Sequence, residues 1–265
     1  MPRYPLKLSP AELDRYRLMA EVAAAAEHEL WELAGITAGA TVADVGCGPG
    51  AVSVVVAERV GPGGRVLAVD RDPEAVEAAR AGAARAGVDN ITFAVGDADD
   101  TGLEPGCADA VMIRHVLAHN GGREDAIVAH AASVARPGGA VYLVDVEISA
   151  LRTRPNLPEL EDLNDRYRQW HARRGNDLSI GLRLAELLAG AGLDVADFRG
   201  RFEIVPVPPG FRPPSWAARE ALVADGLATD DDVARWDAAF RRADEIDPRP
   251  TTFAPLFVAV GRRPV

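Results

Sequence analysis

Acids at strand ends, a run of glycines and a pair of histidines carry the chemistry readable in this chain. The segment Val42-Ala43-Asp44-Val45-Gly46-Cys47-Gly48-Pro49-Gly50 passes from an apolar strand, through a glycine turn, into a helix. Glycines let the backbone approach a ligand closely and adopt conformations that a side chain forbids. The helix start adds free N–H groups aimed at the same space. Asp44 puts a carboxylate at the crevice where ligands of open α/β sheets bind. The glycines at 46, 48 and 50 make G-x-G-x-G, with Ala at 51. A dinucleotide fingerprint wants G-x-G-x-x-G, and the shorter turn suits a ligand without a pyrophosphate. Asp70 ends Val66-Leu67-Ala68-Val69-Asp70, where an acid can accept from both ribose hydroxyls. Gly96-Asp97-Ala98 ends a third strand with another acid. Asp97 can receive the exocyclic amine of adenine, although Gly-Asp is also good turn chemistry.

The histidines follow a fourth strand, in Ile113-Arg114-His115-Val116-Leu117-Ala118-His119-Asn120. His115 and His119 share a face if the stretch is helical. An unperturbed imidazole titrates near neutrality and suits general-base work, so both are the candidate catalytic residues. A metal would need a third ligand, and none is near in sequence, so no metal is expected. Further on, Tyr167, Trp170 and His171 in one insertion, and Phe211 and Trp216 in another, can wall an apolar substrate pocket. They can equally form the insertions' own small core, which is the reading adopted for Trp236. Arg166, Arg168, Arg173 and Arg174 read as a solvated helix face. Cys47 reads as a small residue that the turn tolerates, since nothing in the sequence forces a base or cation beside it.

Such residues need a frame that holds them at one edge. Short apolar strands are expected at 41–45, 65–69, 91–95, 109–113 and 140–146. Helices are expected at 50–60, 72–86 (capped by Asp72) and 123–135. This alternation implies a parallel sheet covered on both faces. Ser9-Pro10-Ala11-Glu12 reads as the start of a helix running to about Ala34. After Glu147 the pattern changes. Helices at 158–173 and 179–189, a strand at 194–205, a Pro-rich loop, helices at 215–224 and 229–246, and a last strand at 252–260 are expected. Segments 148–178 and 206–250 read as helical insertions capping the site, within a single domain spanning 1–265.

With these residues in place, the sequence resembles the class I S-adenosylmethionine-dependent methyltransferases of small-molecule type. Asp44 to Gly50 matches the family's first motif, Asp70 its ribose-binding acid, and Gly96-Asp97-Ala98 its adenine-side motif. Arg136-Pro137-Gly138-Gly139 matches a further signature. The resemblance covers about residues 36–147 well. It implies an α/β fold with a doubly wound, mostly parallel seven-stranded sheet whose last strand is antiparallel, and S-adenosylmethionine as cofactor. The methionine part of the cofactor is then expected against Asp44, Gly46, Cys47, Gly48 and Gly50. Asp70 and Arg71 would serve the ribose side, and Gly96, Asp97 and Ala98 the adenine. Arg114 and His115 would line the methionine end. Tyr16 and Met19, in Tyr16-Arg17-Leu18-Met19, resemble a cofactor-covering helix within 1–35.

Composition bounds the partners. The 265 residues carry 48% hydrophobic residues and a formal net charge of −11. A large core is affordable, and no overall basic balance points to nucleic acid or a membrane surface. Lys7 is the one lysine, which nearly excludes Schiff-base or P-loop chemistry. The Ala, Arg, Gly and Pro usage fits a GC-rich bacterial genome. Cys47 and Cys107 make no disulfide framework. No apolar leader or membrane-length run is read, so a cytoplasmic protein is expected. Its partner is a small-molecule acceptor, and a homodimer is left open. The reading is methyl transfer to an O, N or C atom. Its rivals are a non-methylating binder of the same cofactor, serving cyclisation or regulation, and a nicotinamide-dependent oxidoreductase.

Overall fold

The computed structural model describes residues 10–265, and it builds the expected alternation from residue 41 onward. Strands β1 (Thr41–Val45), β2 (Arg65–Asp70), β3 (Ile91–Val95), β4 (Ala108–Arg114) and β5 (Ala135–Val146) form a parallel sheet. A short β6 (Arg152–Arg154), a long β7 (Asp194–Pro206) and β8 (Thr251–Arg262) complete it. The order is β3-β2-β1-β4-β5-β8, with β7 on the outer edge of β8 and β6 pairing with the start of β8. β8 runs antiparallel to β5, β6 and β7. The sheet is therefore the expected one, with β6 added as an eighth strand.

Side chains alternate across a strand, and the sheet uses both faces. Val42, Met112, Tyr142 and Val258 pack into one buried cluster, and Ala43, Ile113, Leu143 and Ala259 into the other. Near-continuous burial along β4 and β5 is what helices on both faces require. The crossover helices are α3 (Ala51–Val60), α4 (Pro73–Ala86) and α5 (Glu124–Val134), preceded by α1 (Pro10–Ala26) and α2 (His28–Leu33). Asp72 caps α4 by accepting from Glu74 N at 3.0 Å. The cap expected at Ser9 falls outside the described residues.

Two boundaries differ from expectation for physical reasons. The first helix breaks at Glu27, because the Glu27 carboxylate turns inward to meet Arg114 and Tyr142. The Pro137-Gly138-Gly139 turn does not precede the fifth strand but lies inside it. Ala108 pairs with Ala135 and Ala110 with Ala140, so the extra residues bulge out.

The inserted segments fold into α6 (Pro158–Ala172) and, after the intervening α7 (Leu184–Gly190), into α8 (Pro214–Ala217), α9 (Arg219–Ala224) and α10 (Asp230–Glu245). A short 3-10 turn, Ile180–Arg183, replaces the first part of the helix expected at 179–189. α10 starts at a capping box in which Thr229 and Asp232 serve each other. α6 packs on α8, α9 and α10. Leu163, Trp170, Leu222 and Trp236 share one buried cluster with Val45, Ile113 and Leu143 of the sheet. Among the described residues, no helix is long and apolar enough to cross a membrane.

Candidate functional site

A cleft of about 260 Å³ opens at the carboxyl ends of β1, β2 and β4. Its floor is the glycine turn. Gly46 N and Cys47 N both donate to Val69 O, at 2.7 and 3.1 Å, which ties the turn to β2. Gly46 has φ +78°, and a Cβ there would lie 2.3 Å from Val116 Cγ2. Gly48 differs: a Cβ would meet only Tyr16 Cε1, at 3.8 Å. Gly48 is thus the bare backbone facing the cleft, with Tyr16 above it. Gly50, expected among the binding residues, does not line the cleft. Its φ is +76°, and a Cβ would sit 2.8 Å from Ala79 Cβ, so it serves the packing of the turn on α4.

The acids take up distinct positions. Asp44 is buried, accepts from Ser53 Oγ at 2.6 Å, and is pushed up by burial to about 6. Asp70 Oδ2 accepts from Gly48 N at 2.8 Å and Oδ1 from Asp72 N at 2.9 Å; burial raises its pKa. Each oxygen keeps a lone pair for a ligand hydroxyl. Asp97 lies 3.6 Å from the Arg123 guanidinium, and Gly96, Asp97 and Ala98 all line the cleft. Arg15, Tyr16, Met19 and Arg71 line it from α1 and from the turn after β2. Burial raises the Cys47 thiol well above its ordinary value, so it is a poor nucleophile.

Arg114 also lines the cleft, but its charge is held from behind. It pairs with the buried Glu27, whose Oε2 also accepts from Tyr142 OH at 2.6 Å.

The other end of the cleft is chemically different. His115 and His119 both line it, although the shared helical face expected for them does not form. His115 has φ +54°, a rare conformation for a non-glycine residue. His119 ends a 3-10 turn, Leu117–His119. Burial, reinforced by Arg114, His119 and Arg15, pushes His115 down to about 3. Burial, with Arg71 and Arg15, pushes His119 down to about 4. Both rings are neutral at physiological pH. His115 Nε2 is buried with no hydrogen-bond partner among the described residues, and Nδ1 is 4.0 Å from Asp145 Oδ1. Asp145 is fully buried, accepts from Ala118 N at 3.1 Å, and is pushed up to about 7 by burial.

Sequence comparison places these features in a known group. A pattern described as a methyltransferase domain matches residues 36–188. The chain belongs to that methyltransferase domain family. A 37.1 kDa protein in transposon TN4556 of Streptomyces fradiae is 30% identical over 174 residues, 66% of this chain and 47% of that one. The nocamycin O-methyltransferase of Saccharothrix syringae is 42% identical over 73 residues, 28% of this chain and 26% of that one. The chain thus spans less than half the length of these relatives. A SAM dependent methyltransferase from Aquifex aeolicus shares the fold at a TM-score of 0.55 with 18% identity, covering 72% of this chain and 92% of that one.

Of the aromatics expected to wall the methyltransferase domain's substrate pocket, only Tyr167 reaches the cleft. Trp170 Nε1 donates to Asp225 Oδ2 at 2.6 Å, with the Arg174 guanidinium 3.9 Å from the centre of its ring. His171 stacks edge-on between Tyr167 and Trp170. Trp216 packs edge-on against Phe240, and Phe211 also stays off the cleft wall. Trp170, His171 and Trp216 serve the insertions' own core, and Phe211 is half-buried outside it. Arg166 bridges Asp162 and Asp232 rather than clamping an anion. The wall is made instead by Asn164, Leu178, Pro213 and Ser215, which sequence reasoning missed. Their signal was absent because Asn164 and Ser215 meet only through the packing of α6 on α8, and Leu178 and Pro213 join them from outside both helices. Among the described residues, no group of His, Cys, Asp or Glu could hold a metal.

Proposed function

We propose that the chain is an enzyme that binds S-adenosylmethionine and transfers its methyl group to a small-molecule acceptor. The observation that carries this reading is the anchoring of Asp70. Both of its oxygens are oriented by backbone N–H groups of Gly48 and Asp72, so a diol-binding carboxylate is preset against the bare turn. Asp44, Asp70 and Asp97 line a single cleft, and that donor set fits a cationic cofactor with a ribose and an adenine. When bound, the cofactor supplies a methyl group on a sulfonium, and the electron pair of the broken C–S bond leaves with the sulfur. Asp44 would hold the ammonium and Asp97 the exocyclic amine. Tyr16 and Met19 would cover the cofactor from within 1–35.

His115 is the residue placed to receive a proton from an acceptor hydroxyl. Its ring is neutral, but burial pushes it down to about 3, so it is a weak base unless the arriving charge is stabilised. Asp145 beside it would offset part of the charge that arrives. His119, its ring centre 5.0 Å from that of His171, would shape the wall. The segments 148–178 and 206–250 would act as one cap within a single domain, excluding water during transfer.

Calorimetric titration with S-adenosylhomocysteine tests the reading. Wild-type protein should bind it, and Asp70→Ala should weaken binding about a hundredfold, since two hydrogen bonds to a charged group are lost. A folded wild-type protein that gives neither heat nor a thermal shift would overturn it. Methyl transfer to a supplied acceptor then separates an enzyme from a non-methylating binder.

A further inference from the structure

Asp44 needs help to hold a charge. It lies near the end of β1, it is almost wholly buried, and burial favours its neutral form. A cationic ligand needs the charged form. The neighbours of Asp44 pull in both directions. Arg114 on β4 favours the charge and Asp70 on β2 opposes it, while the thiol of Cys47 in the turn stays uncharged. Arg114 is shared with Glu27, from between α1 and α2, so its support is divided. Arg15 of α1 lines the same cleft.

One neighbour supports the charge without carrying one. Ser53 lies in the first turn of α3, the helix that follows the glycine turn, and it is fully buried. The other buried residues of α3 are Val56, Ala57 and Val60, so the Ser53 hydroxyl is a polar group on an apolar face. Its partner is across the layer: Oγ donates to Asp44 Oδ2 at 2.6 Å. That is the length of a hydroxyl bound to a charged oxygen. Among the described residues no other donor bonds the Asp44 carboxylate, and Oδ1 keeps its lone pairs.

We propose that Ser53 is a positioning residue for the cofactor: its hydroxyl fixes one oxygen of Asp44 as a carboxylate, so that the other can receive an ammonium group. The proposal rests on the cleft being an S-adenosylmethionine site with Asp44 at the amino group. It adds that α3, and not the glycine turn alone, sets the pH range over which the cofactor binds. The hydroxyl bond favours the charged form. Without it, Asp44 keeps its proton to higher pH, and the ligand must displace that proton on binding. The lost affinity should therefore grow as pH falls toward about 6, where wild-type Asp44 is half ionised, and vanish where both proteins are ionised. A loss of packing has no such dependence.

The test is calorimetric titration of the full chain with S-adenosylhomocysteine from about pH 5.5 to about pH 8.5. Ser53→Ala should move the midpoint of the affinity profile up by about one pH unit, the size of one hydrogen bond to a charged group. It should bind about fivefold more weakly than wild type at pH 6, and within about twofold of it at pH 8. Ser53→Cys keeps the shape and offers only a weak donor. It should shift the midpoint the same way, which decides the matter if Ser53→Ala folds poorly. In an Asp44→Asn background, Ser53→Ala should add no pH dependence. Asp145, which burial pushes up to about 7, would titrate alike with and without the Ser53 hydroxyl. A midpoint within about 0.3 unit of wild type, or an equal loss at every pH, would overturn the proposal and leave Ser53 a packing residue. So would the same shift in the Asp44→Asn background. Wild-type protein that binds no S-adenosylhomocysteine at any pH would overturn the cofactor reading itself, and this proposal with it.

Discussion

The two ends of the cleft are built by opposite means. The cofactor end comes from short continuous runs, 44–50, 70–72 and 96–98, each a strand end and the turn that follows it. It works through backbone N–H groups, bare glycine and buried charge. The acceptor end draws on residues as far apart in sequence as Val116 and Ser215, and it works through neutral side chains carried by packed helices. Acids are gathered where a cationic cofactor would sit, whereas Arg15 and Arg71 bear on the histidines at the other end. The cofactor end therefore holds the costly electrostatics, and the cap holds mainly ordinary packing.

If that contrast is right, the largest single loss of stability should come from the charge network and not from the cap. Glu27 neutralises Arg114, and both side chains are under a tenth exposed. Glu27→Ala leaves a buried guanidinium without its partner and should cost about 3–5 kcal/mol in denaturant unfolding. Glu27→Gln keeps an acceptor for Tyr142 OH and should recover part of the loss. A cost under about 1 kcal/mol would mean that Arg114 finds water or another acid, and that the charge is less confined than the burial implies.

The next test is pH. The Asp44 carboxyl sits at about 6, above its ordinary value of 3.8, because burial disfavours the charged form. Its folded value is the raised one. The empty protein should therefore gain stability from this group as pH falls through about 6 toward 4, while the unfolded chain stays ionised. Binding of S-adenosylhomocysteine should move the other way. Its ammonium prefers the carboxylate, so affinity should fall by up to about tenfold per unit below pH 6. Asp44→Asn should flatten the affinity profile and weaken binding at pH 8, while the stability profile keeps the limb of Asp145, pushed up to about 7 by burial. Both histidines lie far below neutrality, so neither should add a limb near pH 6.5. An affinity loss centred there and surviving in Asp44→Asn would point to Asp145, which burial pushes up to about 7 beside His115.

The same contrast explains what could be read from the sequence. Asp44, Gly46, Gly48 and Asp70 were legible because backbone geometry demands those residue types at those offsets, within one strand-turn-helix unit. The sheet was legible for the same local reason, through short apolar runs separated by helices. The inward break at Glu27 was not, since its cause is Arg114, eighty-seven positions away. Asn164 and Ser215 were not, since nothing in either neighbourhood signals the other; only the docking of α6 on α8 joins them. Trp170 and Trp216 show the converse. Their size suggested a pocket, and the same size made them the filling of the cap.

That converse supports the smallest and most discriminating prediction. Trp170 and Tyr167 are both buried on α6, and only Tyr167 lines the cleft. Trp170→Phe keeps an aromatic ring but removes the Nε1 hydrogen bond to Asp225 and weakens the stack under Arg174. The expected cost is about 1–2 kcal/mol of stability. Affinity for S-adenosylhomocysteine should stay within about twofold of wild type, a difference too small to report a lost hydrogen bond. Tyr167→Phe offers the matching comparison from the cleft wall. If Trp170→Phe instead costs acceptor affinity and no stability, the cap's interior is continuous with the substrate wall. The division between a charged binding end and a passive cap would then have to be drawn through α6 itself, between one turn and the next.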